Sequence, residues 1–319
     1  MLFSRIMRTC YLFPGQGAQY PGMGKDLWES SVAAREVFGR ATRASGVDVE
    51  GLLFHGTAEE LQATDKTQLA ITVVNVAASA ALREKGITAE ACAGFSLGEY
   101  AALHEAGVLT LEDLLPIVKT RGELMESASR SLDSAAGKPG MAAILGLSAE
   151  KVAAVVEPLA REGVFAANHN SPVQMVLSGT SEGLAKAEAA LKAAGAKRVI
   201  RLKVSGPFHS PLLSEAAKAF EKELAKFSFA EPRLPVYSNV TGQRIRSGAE
   251  ARELCAKQIV SLVRWVTVEE NLLAEGPARF LEVGPGTVLT GLMRALRPEV
   301  VCLPAGRMDE VSKIASENL

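Results

Sequence analysis

The run Cys92-Ala93-Gly94-Phe95-Ser96-Leu97-Gly98-Glu99-Tyr100 constrains the chain more than any other feature. It reads Gly-x-Ser-x-Gly. A serine hydroxyl is a poor nucleophile unless the backbone projects it from a sharp strand-to-helix turn. Glycines two before and two after the serine let such a turn close without side-chain clashes. The helix that follows aims free N–H groups and its positive end at the reaction centre, where they stabilise an oxyanion. Ala89 to Ala93 fits a short buried strand, and Leu97 to Ala106 a helix that Gly107 stops. The pattern points to acyl transfer through a serine ester. The alternative is a serine N-cap on an ordinary helix. With 28 glycines in 319 residues a chance match is unlikely but not rare, so the surroundings of the motif have to decide.

Those surroundings are globular. The chain is 48% hydrophobic and 22% charged, and long enough for a large domain with an insertion or for two domains. A formal net charge of −1 argues against bulk attraction to nucleic acid or to an anionic membrane. Cys10, Cys92, Cys255 and Cys302 are scattered and read as reduced core residues, with no metal site. No apolar run approaches the ~20 residues of a membrane span. The N-terminal apolar run, which carries two arginines, is cut by Pro14-Gly15-Gln16-Gly17 and resembles a buried strand more than a leader. A cytoplasmic protein is expected.

Strand signals at Cys10–Phe13, helices at Ser30–Ser45 and Thr67–Lys85 (Thr67 as cap, Gly86 as stop) and a helix opened by Thr110 surround the motif. Gly137-Lys138-Pro139-Gly140 marks a break. Beyond it the chain reads β-α-β-β-α-β: Met141–Leu147, Ser148–Arg161, Val164–Ala167, Val173–Leu177, Ser181–Ala194, Arg198–Val204. The segment Asn168-His169-Asn170-Ser171-Pro172 reads as a turn. This order is the split βαβ of a ferredoxin-like unit, expected as an insertion over residues 135–204. A continuation of the main α/β sheet is the alternative. Residues 1–134 and 205–319 then form the larger unit, with Ser214–Phe227, Ala249–Val263, Val268–Glu275 and Val288–Leu296 as helices, and Pro235–Val240 and Arg279–Val283 as strands.

A serine nucleophile needs a base, and the chain has four histidines. His55 lies in a polar loop. His104 sits two turns into the elbow helix and points away from Ser96. His209 follows Ser205-Gly206-Pro207-Phe208, a rigid loop where the inserted unit returns, and is the first candidate. His169 is the second. No acidic residue declares itself as orienting partner, and a backbone carbonyl serves equally well. Arg121 stands on an otherwise apolar helix. Turned inward, its guanidinium could clamp a carboxylate; turned outward, it is a surface residue. Gly15-Gln16-Gly17-Ala18-Gln19 lacks the Gly-Lys-Ser/Thr ending of a phosphate loop and is better used to offer an N–H to an oxyanion. In Gly284-Pro285-Gly286 the proline removes a donor that a nucleotide loop needs.

Four motifs in order carry a resemblance over nearly the whole chain: Phe13-Pro14-Gly15-Gln16-Gly17-Ala18-Gln19, Gly94-Phe95-Ser96-Leu97-Gly98-Glu99-Tyr100, Gly206-Pro207-Phe208-His209-Ser210 and Glu282-Val283-Gly284-Pro285-Gly286. The chain resembles malonyl-CoA:acyl carrier protein transacylases, including the acyltransferases of polyketide synthesis. The resemblance implies an α/β-hydrolase-like core with a ferredoxin-like subdomain. It implies Ser96 as nucleophile and His209 as base, oriented by the main-chain carbonyl of Gln258. Gln16 and Leu97 would supply the oxyanion N–H groups, and Arg121 would hold the malonyl carboxylate. Phe208 resembles the malonyl-selecting variant of its motif. Malonyl-CoA would be the substrate, CoA the product, and the phosphopantetheine thiol of acyl carrier protein the acceptor, with no bound cofactor, nucleic acid or membrane partner, in a monomer. The family usually has histidine where this chain has Phe95.

Carrier proteins are acidic, and Lys192, Lys197, Arg198, Arg201 and Lys203 form either a docking patch or a solvated face. Two rival readings use the same residues: a serine hydrolase or thioesterase with Ser96 and His209, and a carrier-docking scaffold with an inactive elbow.

Overall fold

The computed structural model describes residues 9–135 and 137–317; the start of the chain with its two arginines lies outside them. Nine strands are found among the described residues: β1 (Thr9–Phe13), β2 (Ala91–Gly94), β3 (Gly140–Leu145), β4 (Val164–Ser171), β5 (Gln174–Gly179), β6 (Arg198–Arg201), β7 (Val236–Tyr237), β8 (Arg279–Glu282) and β9 (Cys302–Pro304).

Five of them form a parallel sheet in the order β7-β2-β1-β8-β9. Strands β1, β2 and β8 are buried along their whole length. That is the signature of a parallel sheet covered on both faces, because each crossover lays a helix on the sheet. The period of two sorts the side chains. Tyr11, Phe13, Cys92 and Leu281 join a core with the helices Thr64–Glu84, Gly98–Glu105 and Leu111–Ser131. Cys10, Leu12, Ala91, Ala93 and Phe280 point the other way, onto the helices Trp265–Ala274 and Val288–Leu296. Each fully buried Leu, Val or Phe contributes ~1.5–3 kcal/mol.

The remaining four strands form an antiparallel sheet in the order β4-β5-β3-β6. One face (Ala142, Ile144, Met175, Leu177) packs on the helices Ala149–Val156 and Ser181–Ala193. The other (Met141, Ala143, Val176) joins the core of the large unit. Backbone bonds tie the units together: His169 N–H donates to Val263 O and Val263 N–H to Ala167 O, both at 2.9 Å. Ser178 Oγ donates to Phe208 O across the same junction.

Local differences from the sequence reading have clear causes. Ser31 caps the helix Val32–Ser45 by accepting from Ala34 N–H, so the helix begins two residues later than expected. The long apolar helix starts at Thr64 with Ala63 as its cap; Thr67 instead donates its hydroxyl to Leu61 O. Asn168 to Ser171 continue strand β4, because pairing with β5 and Val263 overrides their turn propensity. The short β9 and the helix Met308–Ser316 were not anticipated. No helix among the described residues is long and apolar enough to cross a membrane.

Candidate active site

Strand β2 delivers the chain into a turn that only glycine permits. A Cβ on Gly94 would lie 1.9 Å from Gly98 C and O, and one on Gly98 would lie 2.0 Å from Phe13 O. Ser96 takes φ +51°, a left-handed conformation that costs a non-glycine residue ~1–3 kcal/mol. The surroundings hold it there from both sides. Ser96 N–H donates to Asn239 Oδ1 at 2.6 Å, and Ser96 O accepts from Gln258 Nε2 at 3.0 Å. Asn239 Nδ2 in turn donates to Gly94 O at 2.7 Å, strapping the elbow from β7's exit.

Ser96 Oγ lies 2.7 Å from His209 Nε2. His209 Nδ1 lies 2.8 Å from the main-chain oxygen of Gln258. A carbonyl can only accept, so the proton sits on Nδ1 and Nε2 is left free to accept from the serine. His209 has φ +58°; with Ser96 it makes up the non-glycine residues of positive φ among those described. Burial, then the Arg121 charge, push its pKa down to about 4, against the pull of the Gln258 carbonyl. At neutral pH the imidazole is therefore the free base.

Arg121 is turned inward and is 1% exposed. Nη1 donates to Gln68 Oε1 at 2.7 Å and Nη2 to Gln258 Oε1 at 3.0 Å, while Nε has no partner. Its guanidinium stands 5.3 Å from the Tyr100 ring centroid. Both partners are neutral amides, and no carboxylate among the described residues forms an ion pair with it. A buried cation so placed can receive an anion from outside.

Ser96, His209 and Arg121 border one cleft of about 190 Å³ between the two sheets. Gln16, Leu97 and Phe208 line it as well, and the small sheet closes it with Met141, Asn168, Asn170 and Val176. A Cβ on Gly15 would lie 2.3 Å from Phe95 O and 3.5 Å from Leu97 N, so the first loop rests directly on the elbow. Among the described residues no acceptor meets the N–H of Gln16 or Leu97. Phe95 lines the cleft and meets Trp265 edge-on, with centroids 5.3 Å apart.

His169 is not brought to Ser96: Asn168 and Asn170 face the cleft, and the alternation of a strand turns the residue between them away. His104 Nδ1 lies 2.9 Å from Leu109 O, far down the elbow helix, and His55 ends the helix Val49–His55. Lys197, Arg198 and Arg201 are exposed at the β6 edge, with Arg201 3.8 Å from Glu188. No group of His, Cys, Asp and Glu among the described residues could hold a metal ion. The sequence reading missed Gln68, Asn239 and Glu99. Glu99 is buried, its pKa is pushed up to about 7 by that burial, and it accepts from Asn239 and Gln258.

Comparison with known proteins gives the family. The family model for the acyl transferase domain matches residues 10–310. The malonyl CoA-acyl carrier protein transacylase of Bacillus subtilis (strain 168) is 41% identical over 291 residues, 91% of this chain and 90% of that one. The crystal structure of the transacylase from Clostridium perfringens superposes with a TM-score of 0.91 at 36% identity, covering 97% of this chain and 96% of the other. A type II polyketide-synthase acyl carrier protein in complex with its malonyl-transacylase gives 0.92 at 33%, covering 97% and 99%. The chain belongs to the acyl transferase family, among the malonyl-CoA:acyl carrier protein transacylases.

Proposed function

We propose that this chain moves a malonyl group from malonyl-CoA to the phosphopantetheine thiol of acyl carrier protein through an ester on Ser96. One observation carries the reading: a serine–imidazole pair at 2.7 Å shares its cleft with a buried guanidinium that forms an ion pair with no carboxylate among the described residues. Ser96 Oγ attacks the thioester carbon as His209 Nε2 takes its proton. The N–H groups of Gln16 and Leu97 receive the oxyanion. The C–S bond breaks, and His209 returns the proton to the departing CoA sulfur. The carrier thiol then attacks the ester, giving its proton to His209, which passes it to Ser96 Oγ as that bond breaks. The Gln258 carbonyl keeps the imidazole in the tautomer both half-reactions need.

Arg121 holds the malonyl carboxylate through the cycle. The Phe208 ring narrows the space for a branch at C2, at a discrimination of ~1–3 kcal/mol. Lys197, Arg198 and Arg201 offer positive charge to an acidic carrier. The reaction uses no resident cofactor, with malonyl-CoA as substrate and CoA as product. We read the larger unit, residues 1–134 and 205–319, as an α/β-hydrolase-like core. Residues 135–204 are a ferredoxin-like subdomain, a reading supported by the β4-β5-β3-β6 order. The protein is expected to act as a cytoplasmic monomer, without nucleic-acid or membrane partners.

Intact-mass spectrometry after brief exposure to malonyl-CoA tests the proposal. A malonyl adduct on wild type that Ser96→Ala lacks is the expected result. Turnover without an adduct means a hydrolase, and neither result means a scaffold; both overturn it.

A further inference from the structure

Glu99 follows the elbow in the first turn of the helix Gly98–Glu105 and is 1% exposed. Its Oε2 accepts from Gln258 Nε2 at 2.6 Å and from Asn239 N–H at 3.0 Å. Those two residues support the whole site. Asn239 Oδ1 receives the Ser96 N–H. Gln258 gives its main-chain oxygen to His209, its Oε1 to Arg121 and its Nε2 to Ser96 O.

The Gln258 amide works in one orientation only. Rotated by half a turn, its Oε1 would face the oxygens of Glu99 and Ser96, and its Nε2 would face the guanidinium. Every contact would then pair acceptor with acceptor or donor with donor. Ser96 O, at 3.0 Å, is the weaker anchor against that rotation; the buried Glu99 oxygen, at 2.6 Å, is the stronger one.

We propose that Glu99 is a positioning residue for the transfer: through the side-chain amide of Gln258 it sets the His209 imidazole and the Arg121 guanidinium in register, and through Asn239 it holds the elbow. The inference rests on Ser96, His209 and Arg121 serving malonyl transfer. It assigns Glu99 no contact with substrate; its effect passes through the geometry of the residues it holds. What matters is the reach of its oxygen, more than its charge. Burial raises its pKa to about 7, so a neutral amide at this position is close to a state the carboxyl already visits at neutral pH.

Two variants separate reach from charge. Glu99→Gln keeps the length and one acceptor oxygen. Glu99→Asp keeps the charge and withdraws it by one methylene. Each is compared with wild type for Ser96 acylation by malonyl-CoA and by acetyl-CoA, with thermal melting to establish folding. Glu99→Gln should retain kcat/KM for malonyl-CoA within about threefold, while Glu99→Asp loses about tenfold or more, the effect of leaving one buried donor of Gln258 without its acceptor. The loss in Glu99→Asp should be larger for malonyl-CoA than for acetyl-CoA, because Arg121 serves only the former. A merely structural role would lower both alike.

Equal losses on both substrates, an aspartate variant as fast as wild type, or a glutamine variant that falls more than about tenfold would each overturn the proposal. Should Glu99→Asp fail to fold, the glutamine arm still decides by the same threshold. Failure of wild type itself to become acylated would instead remove the reading on which this inference rests.

Discussion

Arg121→Met is the most informative single change. Methionine keeps much of the length and bulk but none of the donors. A bidentate guanidinium–carboxylate pair makes two charge-assisted hydrogen bonds, each ~1.5–3 kcal/mol. Arg121 already spends one donor on Gln68 and another on Gln258, so the lower end of the sum applies. About 3 kcal/mol corresponds to roughly a hundredfold in kcat/KM for malonyl-CoA. Acetyl-CoA has no carboxylate and should change by less than about tenfold. The assay is single-turnover acylation of Ser96 by each thioester, read by intact mass. A second readout is independent of the first. The Arg121 charge depresses the His209 pKa, so its removal should raise that pKa from about 4 towards the ordinary value, and the acid limb of the acylation profile should move to higher pH. The substitution strips a donor from the buried oxygens of Gln68 and Gln258, at ~1–3 kcal/mol each, which makes melting a necessary control. A folded Arg121→Met protein with an unchanged malonyl-to-acetyl ratio would falsify the clamp.

Other expectations follow from the same contacts. With wild type, log kcat/KM for acylation should stay level from neutral pH down to about 5 and fall below about 4, since His209 acts as the free base; a midpoint near the ordinary histidine value refutes the buried-base assignment. The same shift costs stability in acid. The unfolded imidazole takes up its proton near 6.5 and the folded one near 4, so up to about 3 kcal/mol is lost as pH falls through that window. Denaturant midpoints of wild type and His209→Gln, compared across those pH values, should show a gap that narrows or reverses in acid. Phe95→His replaces the ring that meets Trp265 and should alter kcat/KM by less than about a hundredfold, or 2.7 kcal/mol; a larger loss means the ring does more than line the cleft. Charge reversal at Lys197 and Arg198, both exposed, should slow transfer to acyl carrier protein at low salt and spare acylation by malonyl-CoA. Equal loss in both half-reactions removes the patch.

The dyad was legible because its conformation demands a spelling. A serine at positive φ between two close backbones needs glycines at 94 and 98, and the loop from Ser205 to His209 announces itself by its glycine and proline. The Gln258 carbonyl was not legible from residue chemistry, since every residue carries one; family likeness pointed to it. The inward turn of Arg121 stayed open because an arginine on an apolar helix faces water in most proteins. Gln68, Glu99 and Asn239 were missed for a related reason. Each is a polar residue that sequence alone places outside, and only the pairing of Gln68 with Arg121 and of Glu99 with Gln258 makes burial tolerable. His169 misled because Asn168-His169-Asn170-Ser171-Pro172 has turn composition, yet Met175 and Val263 hold it in a strand.

The proposed nucleophile and base, Ser96 and His209, the Gln258 oxygen that meets His209, and Arg121 all lie on the large parallel unit. The antiparallel sheet contributes wall: Met141, Asn168, Asn170, Gln174 and Val176. The serine, the imidazole and the guanidinium are therefore written on one piece of chain and part of the wall facing them on another, joined at a seam. A substitution on the facing strands reshapes the wall of the cleft without touching a hydrogen bond of Ser96, His209 or Arg121.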